Sequence, residues 1–198
     1  MTNIKHTAKL NSFAQIRELD KARALVLSSA LIQRMLPNYV LFCEAMALEH
    51  AEAANNLVKL LWEVSSNRAM KINTEAQGEK LEEITPSVDD YDNLGVYAAL
   101  DFCMACSAVL QLIANEEPQA AVMVAKLSQG SVERHIVVSQ EQELTGAELN
   151  SHPLMAFEIA SLQSLLEVCK QKKLSADDIK ELRQDIIAQG VSSLGIEC

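Results

Sequence analysis

Gly95-Val-Tyr-Ala-Ala-Leu-Asp101-Phe-Cys103-Met-Ala-Cys106-Ser-Ala-Val-Leu-Gln-Leu-Ile-Ala114 carries a single charge, Asp101, in twenty residues. A helix that is apolar on every side needs other helices, or lipid, around it. An ionised carboxylate in its middle needs a partner. The flanks decide between protein and lipid. Asp89, Asp90 and Asp92 precede the stretch and Glu116 and Glu117 follow it. Neither side offers the Lys and Arg excess of a cytoplasmic membrane flank, and Asp101 would sit in hydrocarbon. No other stretch reads as comparably apolar. The expectation is the central helix of a soluble bundle, with no membrane partner.

Breakers and caps divide the rest into about eight helical segments, an all-α array in a single domain over 1–198. Residues 1–9 match no element and read as a flexible N-terminal extension. Leu10, Phe13, Ile16 and Leu19 recur at helical spacing. Asp20 caps a run from Lys21 to Leu36, which Pro37 stops or kinks before a further helix over Asn38–Leu48. Ala51–Arg68 presents Leu57, Leu60, Leu61 and Val64 on one face. Thr74 and Gln77 form a capping box for an acidic helix ending near Ile84. Asn115 and Pro118 close the central helix, and Pro118 opens a run to about Leu144, with a break or bend expected at Gly130. Gly146 marks a turn, Pro153 starts a helix to about Lys172, Ser175 with Asp178 caps the last helix, and Gly190 ends it.

The chain has 198 residues, 49% of them hydrophobic and 22% charged, so it can bury one sizeable core. Six Gly and four Pro are few for an all-β protein. Seventeen basic against 27 acidic residues leave a net charge of −10. That sign disfavours nucleic acid, whose affinity comes from Lys and Arg displacing counterions. It disfavours an anionic membrane surface for the same reason. Five cysteines and no secretory signal fit free thiols in a reducing cytoplasm. A protein partner or a homodimer is compatible with large helical faces but is not required by the sequence.

Several strings are shared with a known family. Arg34-Met-Leu-Pro37-Asn38-Tyr39-Val-Leu-Phe42-Cys43 and Pro86-Ser-Val-Asp89-Asp90-Tyr91-Asp92-Asn-Leu-Gly95-Val-Tyr97-Ala-Ala-Leu-Asp101-Phe-Cys103 resemble those of the YjaG-like proteins. So do Leu61-Trp62-Glu63, Glu79-Lys80-Leu81-Glu82-Glu83 and Leu194-Gly195-Ile196. The resemblance runs from about Leu10 to Ile196. It implies a helical cytoplasmic domain of bacterial origin and of unknown function. It carries no active site, ligand or partner to transfer.

Five constellations could carry chemistry. Asp101 reads as a buried structural carboxylate, with Arg34, at the end of another apolar helix, as its expected bidentate partner. Its functional alternative is an acid or base in a pocket. Asp89, Asp90 and Asp92 read as N-terminal charge for the central helix. A divalent-cation site is the alternative, although the Asp-x-Asp-x-Asp-Gly spacing of an EF-hand is missing. Glu79 and Glu82, three apart on one helix, could face Asp89 and Asp92 across a metal. Such pairs serve magnesium-dependent hydrolysis of nucleotide phosphates in the all-helical pyrophosphatases of the MazG type.

Cys103 and Cys106 have redox spacing, but all-helical peroxidase-type proteins place a His four residues later, where this chain has Leu110. Two buried core cysteines are the simpler reading. Asn38, Tyr39 and Trp62 could line a pocket or lie in the core. His6, His50, His135 and His152 are scattered, with no zinc spacing. No catalytic residue, metal site or cofactor is predicted. The expected function is therefore non-enzymatic binding or interaction, and the magnesium-dependent phosphohydrolase is its alternative.

Overall fold

The structure, a computed structural model, describes residues 11–140 and 144–197. The expectations for residues 1–9, His6, Leu10 and Cys198, and the part of the run to Leu144 over 141–143, lie outside them. Among the described residues the chain folds into nine α-helices and one 3-10 turn. They are α1 (Ser12–Arg17), α2 (Lys21–Ala45), α3 (Ala51–Ser66), α4 (Thr74–Glu83), α5 (Gly95–Ala114), α6 (Ala120–Ser139), α7 (Gly146–Ser151), α8 (Pro153–Cys169) and α9 (Ala176–Ala188). The 3-10 turn, Val88–Asp90, links α4 to α5.

The all-α class holds, and α5 is the apolar helix the sequence calls for. Val96, Ala99, Phe102, Cys103, Ala105, Cys106 and Val109 are buried on it, and only a narrow side with Met104 and Gln111 is exposed. It shares the centre of the fold with α2. That helix packs against α3, α5, α6, α8 and α9, while α5 packs chiefly against α2, α6 and α4. Both α2 and α5 are long and apolar enough to cross a membrane by length and composition, yet most of each is enclosed by neighbouring helices. Lys21 Nζ, at the start of α2, donates to the Ile113 carbonyl (2.9 Å) and to Asn115 Oδ1 (2.6 Å). A cation thus sits at the C-terminal end of the α5 dipole, where it is stabilising.

Pro37 corrects the sequence reading. It neither ends nor divides α2, which runs 25 residues through it. A proline lacks the amide that would close the helical turn behind it, and its ring crowds the carbonyls there. The C-terminal tail packs on this turn and meets the carbonyl next to the freed one of Gln33. Ser193 N–H donates to the Arg34 carbonyl at 2.8 Å, and Asn38 Nδ2 donates to Ser193 Oγ at 2.9 Å. The tail is itself closed by Ser192 N–H on the Ile196 carbonyl and a Val191–Glu197 bridge. Ser192 and Ser193 are both fully buried.

Local signals fared unevenly. Asp20 caps α2, accepting from Arg23 N, and Ser175 with Asp178 forms the capping box of α9. Pro153 sits at the first turn of α8, behind His152 as N-cap. Asn115 and Gly190 take the left-handed conformation that ends α5 and follows α9. Thr74 is not a cap: Asn73 accepts from Ala76 N instead, and Thr74 is the first helical residue. Gly130 makes no break in α6, because propensity alone, worth about 1 kcal/mol, is overridden by packing. The helix ends at Ser139, ahead of the expected Leu144. The six-residue α7, held by a Thr145–Glu148 capping box, falls where only a turn was expected.

Candidate functional site

Three charges stand alone in apolar helical runs: Arg34 in α2, Asp101 in α5 and Glu158 in α8. The expected pairing of Arg34 with Asp101 does not form. Arg34 Nη1 donates to Glu158 Oε2 at 2.6 Å, and both side chains are almost wholly buried. Ser128 Oγ of α6 donates to the other carboxylate oxygen at 2.6 Å. The Arg34 guanidinium also lies 5.3 Å from the centre of the Phe157 ring. Asp101 faces α6, where Arg134 Nη1 donates to its Oδ2 at 2.9 Å. The reason is orientation: Arg34 lies on the face of α2 that meets α8, whereas Asp101 lies on the face of α5 that meets α6. Glu158 left a signal that could have been read, as the one charge between Pro153 and Leu166. Arg134 left none, because it follows Glu133 in a polar stretch.

The two pairs differ in surroundings. Asp101 is buried, but the Arg134 side chain is 44% exposed. Burial pushes the Asp101 carboxyl above its ordinary range, and this outweighs the opposing effects of Arg134 and of the Ser131 hydroxyl beside it. A folded-state pKa above the unfolded value of 3.8 means the native protein binds the proton more tightly. Stability from this group is therefore full below the unfolded value and lost as pH rises through the folded one. Asp101→Asn removes that loss. Urea melts from below pH 3.8 upward should show the variant gaining on the parent as pH rises. A parent that gains on the variant over that range would contradict the burial effect.

Arg134 stands at the edge of a hollow of about 450 Å³. Its walls are the C-terminal half of α2 (Leu41, Phe42), the start of α5 (Leu94, Tyr97), the C-terminal half of α6 (Arg134, Val138) and the tail (Leu194, Ile196). Size and lining suit a small-molecule site, mostly apolar with a few polar groups. Leu41, Leu94 and Val138 are between 46% and 63% exposed, large side chains gathered on one rim. Asn38 and Ser131 are polar and buried in the lining. Among the described residues Asn38 Oδ1 has no partner, nor do Nε and Nη2 of Arg34 one turn earlier. Buried polar atoms of this kind ordinarily find water or a ligand.

Gly95 shapes one wall. Asn93 Oδ1 accepts from Gly95 N at 2.7 Å, and a Cβ on Gly95 would meet that oxygen at 2.9 Å. The first amide of α5 is thus met by Asn93 and not by the acidic cluster, while Leu94, at the N-cap position, makes no side-chain cap bond. Asp89 and Asp90 lie in the 3-10 turn and Asp92 beyond it, all exposed. Glu79 and Glu82 are exposed on α4. No group of three or more His, Cys, Asp or Glu among the described residues is placed to hold a metal ion. The carboxylates proposed for magnesium chemistry are thus on the surface and are not gathered into a site.

Cys43, Cys103, Cys106 and Cys169 are free and buried. Desolvation pushes the Cys103 and Cys169 thiols up to about 12 and raises Cys106 well above its usual value. Such thiols are poor nucleophiles at neutral pH. Tyr39 belongs to the core, its hydroxyl donating to the Ile84 carbonyl at 2.7 Å, and Trp62 donates to Gln33 Oε1 at 3.0 Å. Of the three pocket candidates only Asn38 lines the hollow. His135 is exposed on the lining, and His152 accepts from Leu154 N.

A family described as a protein of unknown function, DUF416, matches residues 11–197. The chain belongs to the DUF416 family. An uncharacterized protein of Haemophilus influenzae is 31% identical over 188 residues, covering 92% of this chain and 95% of the relative. The uncharacterized protein YjaG of Escherichia coli is 30% identical over 186 residues, covering 92% and 94%. A crystal structure of a DUF416 family protein from Shewanella baltica superposes with a TM-score of 0.89 at 32% identity, covering 96% of this chain and all of that one. The YjaG-like resemblance and the helical fold are therefore those of the DUF416 family.

Proposed function

We propose that this DUF416 protein is a non-enzymatic small-molecule-binding protein of the bacterial cytoplasm, and that the hollow between α2, α5, α6 and the tail is its site. The hollow itself carries the proposal: about 450 Å³, apolar walls, a rim of exposed Leu41, Leu94 and Val138, and buried polar groups at Asn38 and Ser131. Four buried free thiols accord with a reducing compartment. The lining is mostly apolar with a few polar groups, among them Asn38, Ser131, Arg134 and His135, a make-up that supports capture of a ligand.

The test uses a neutral apolar fluorophore, N-phenyl-1-naphthylamine. Its emission should rise on titration with the parent protein and fall back several-fold with Leu41→Asp/Val138→Asp. The same exchange at Ile187, 54% exposed on α9, should leave the rise intact. No rise with the parent, or equal rises with parent and double variant, would remove the hollow as a binding site.

A further inference from the structure

The hollow is apolar in its body and carries the Arg134 guanidinium at one edge. Among the described residues Arg134 and His135 line it, and no Asp or Glu does. That is unexpected in a chain with 27 acidic and 17 basic residues. Arg134 is also held in place. Its Nη1 is bonded to Asp101 Oδ2 at 2.9 Å, and its guanidinium carbon lies 5.0 Å from the centre of the Tyr97 ring. With the side chain 44% exposed, one N–H is committed to Asp101 while part of the fork remains open to solvent.

The fold gains little from Asp101. A buried ion pair is weak support for stability, and an apolar residue of similar size would serve α5 at least as well. Breaches of local preference are expected at functional sites. Here the breach orients a cation beside an apolar cavity. A guanidinium with one arm engaged can still meet a planar, singly charged carboxylate through two N–H groups. A phosphate dianion would want more cations than this edge provides.

Taking the hollow as a binding site, we propose that its ligand is an amphipathic monocarboxylate, with the alkyl chain against Leu41, Phe42, Leu94 and Val138 and the carboxylate on Arg134. Asp101 then acts as a positioning residue. No bond is made or broken, and the exchange is of water for ligand at both ends of the cavity.

Calorimetric titration of the full chain with octanoate, octanol and acetate tests this. Octanoate should bind at least tenfold more tightly than octanol, and acetate should give no heat. Arg134→Met should bring octanoate down to the level of octanol and leave octanol unchanged. Asp101→Asn should narrow the octanoate preference several-fold without weakening octanol, an effect that a purely structural Asp101 would not produce. Because Arg134→Met strands a buried carboxylate, Asp101→Asn/Arg134→Met serves as the second variant, with circular dichroism confirming its fold, and it too should bind the two ligands alike. Equal affinities of the parent for octanoate and octanol, or octanoate binding unaffected by loss of Arg134, would overturn the assignment. If the neutral fluorophore still binds in that case, the anion preference fails alone. If the fluorophore does not bind, the cavity as a site fails with it.

Discussion

Arg34→Met should destabilise the protein by about 3–5 kcal/mol in urea or guanidinium melts, because it leaves Glu158 as an uncompensated charge in the core. Glu158 has no exposed surface, and its two oxygens are occupied by Arg34 Nη1 and Ser128 Oγ, both at 2.6 Å. Glu158→Gln should cost less, since the amide oxygen can still accept from Arg34 or Ser128. The informative variant is Arg34→Met/Glu158→Leu. With both charges gone the desolvation cost disappears with the attraction, so most of the loss should be recovered. Losses that simply add would show that the two side chains act independently. A total folding stability of about 5–15 kcal/mol makes the single-variant effect easy to resolve.

Phe102→Ala should cost about 3–5 kcal/mol by leaving a cavity where α5 meets α2. Phe102 is fully buried, and its ring centre lies 4.8 Å from that of Tyr39. Tyr39 is fixed in turn by its hydrogen bond to the Ile84 carbonyl, so it cannot swing in to fill the space. Phe102→Leu keeps most of the volume and should lose distinctly less. Equal costs for Ala and Leu would mean that the Phe–Tyr contact, and not the cavity, dominates.

The helical periodicity of the chain is strong enough to give the class, and most helix ends follow from caps and breakers. Asp20, Ser175, Pro153 and Asn115 signal their ends because each acts on backbone groups within four residues of itself. Pro37 misled for the opposite reason. Whether a helix continues past a proline depends on the packing around that turn, and here the turn is packed by the C-terminal tail, whose Ser193 bonds the Arg34 carbonyl and the Asn38 side chain from the far end of the chain. The hollow was legible only in part. Asn38 stood out as a polar residue beside a break, but nothing local ties it to Leu94, Arg134 or Ile196.

From the sequence alone came an all-helical chain, a near-uncharged α5 that must be enclosed, and an Asp101 that must find a cation. Each follows from periodicity and from the cost of burying charge, which need no knowledge of neighbours. Only the tertiary structure decided which cation answers which carboxylate: Arg134 for Asp101, Arg34 for Glu158. Ion pairing in a core depends on which helix faces meet, and that is a property of packing across the whole chain. The same packing placed an apolar hollow beside the half-exposed member of one pair, and no local stretch of residues encodes that juxtaposition.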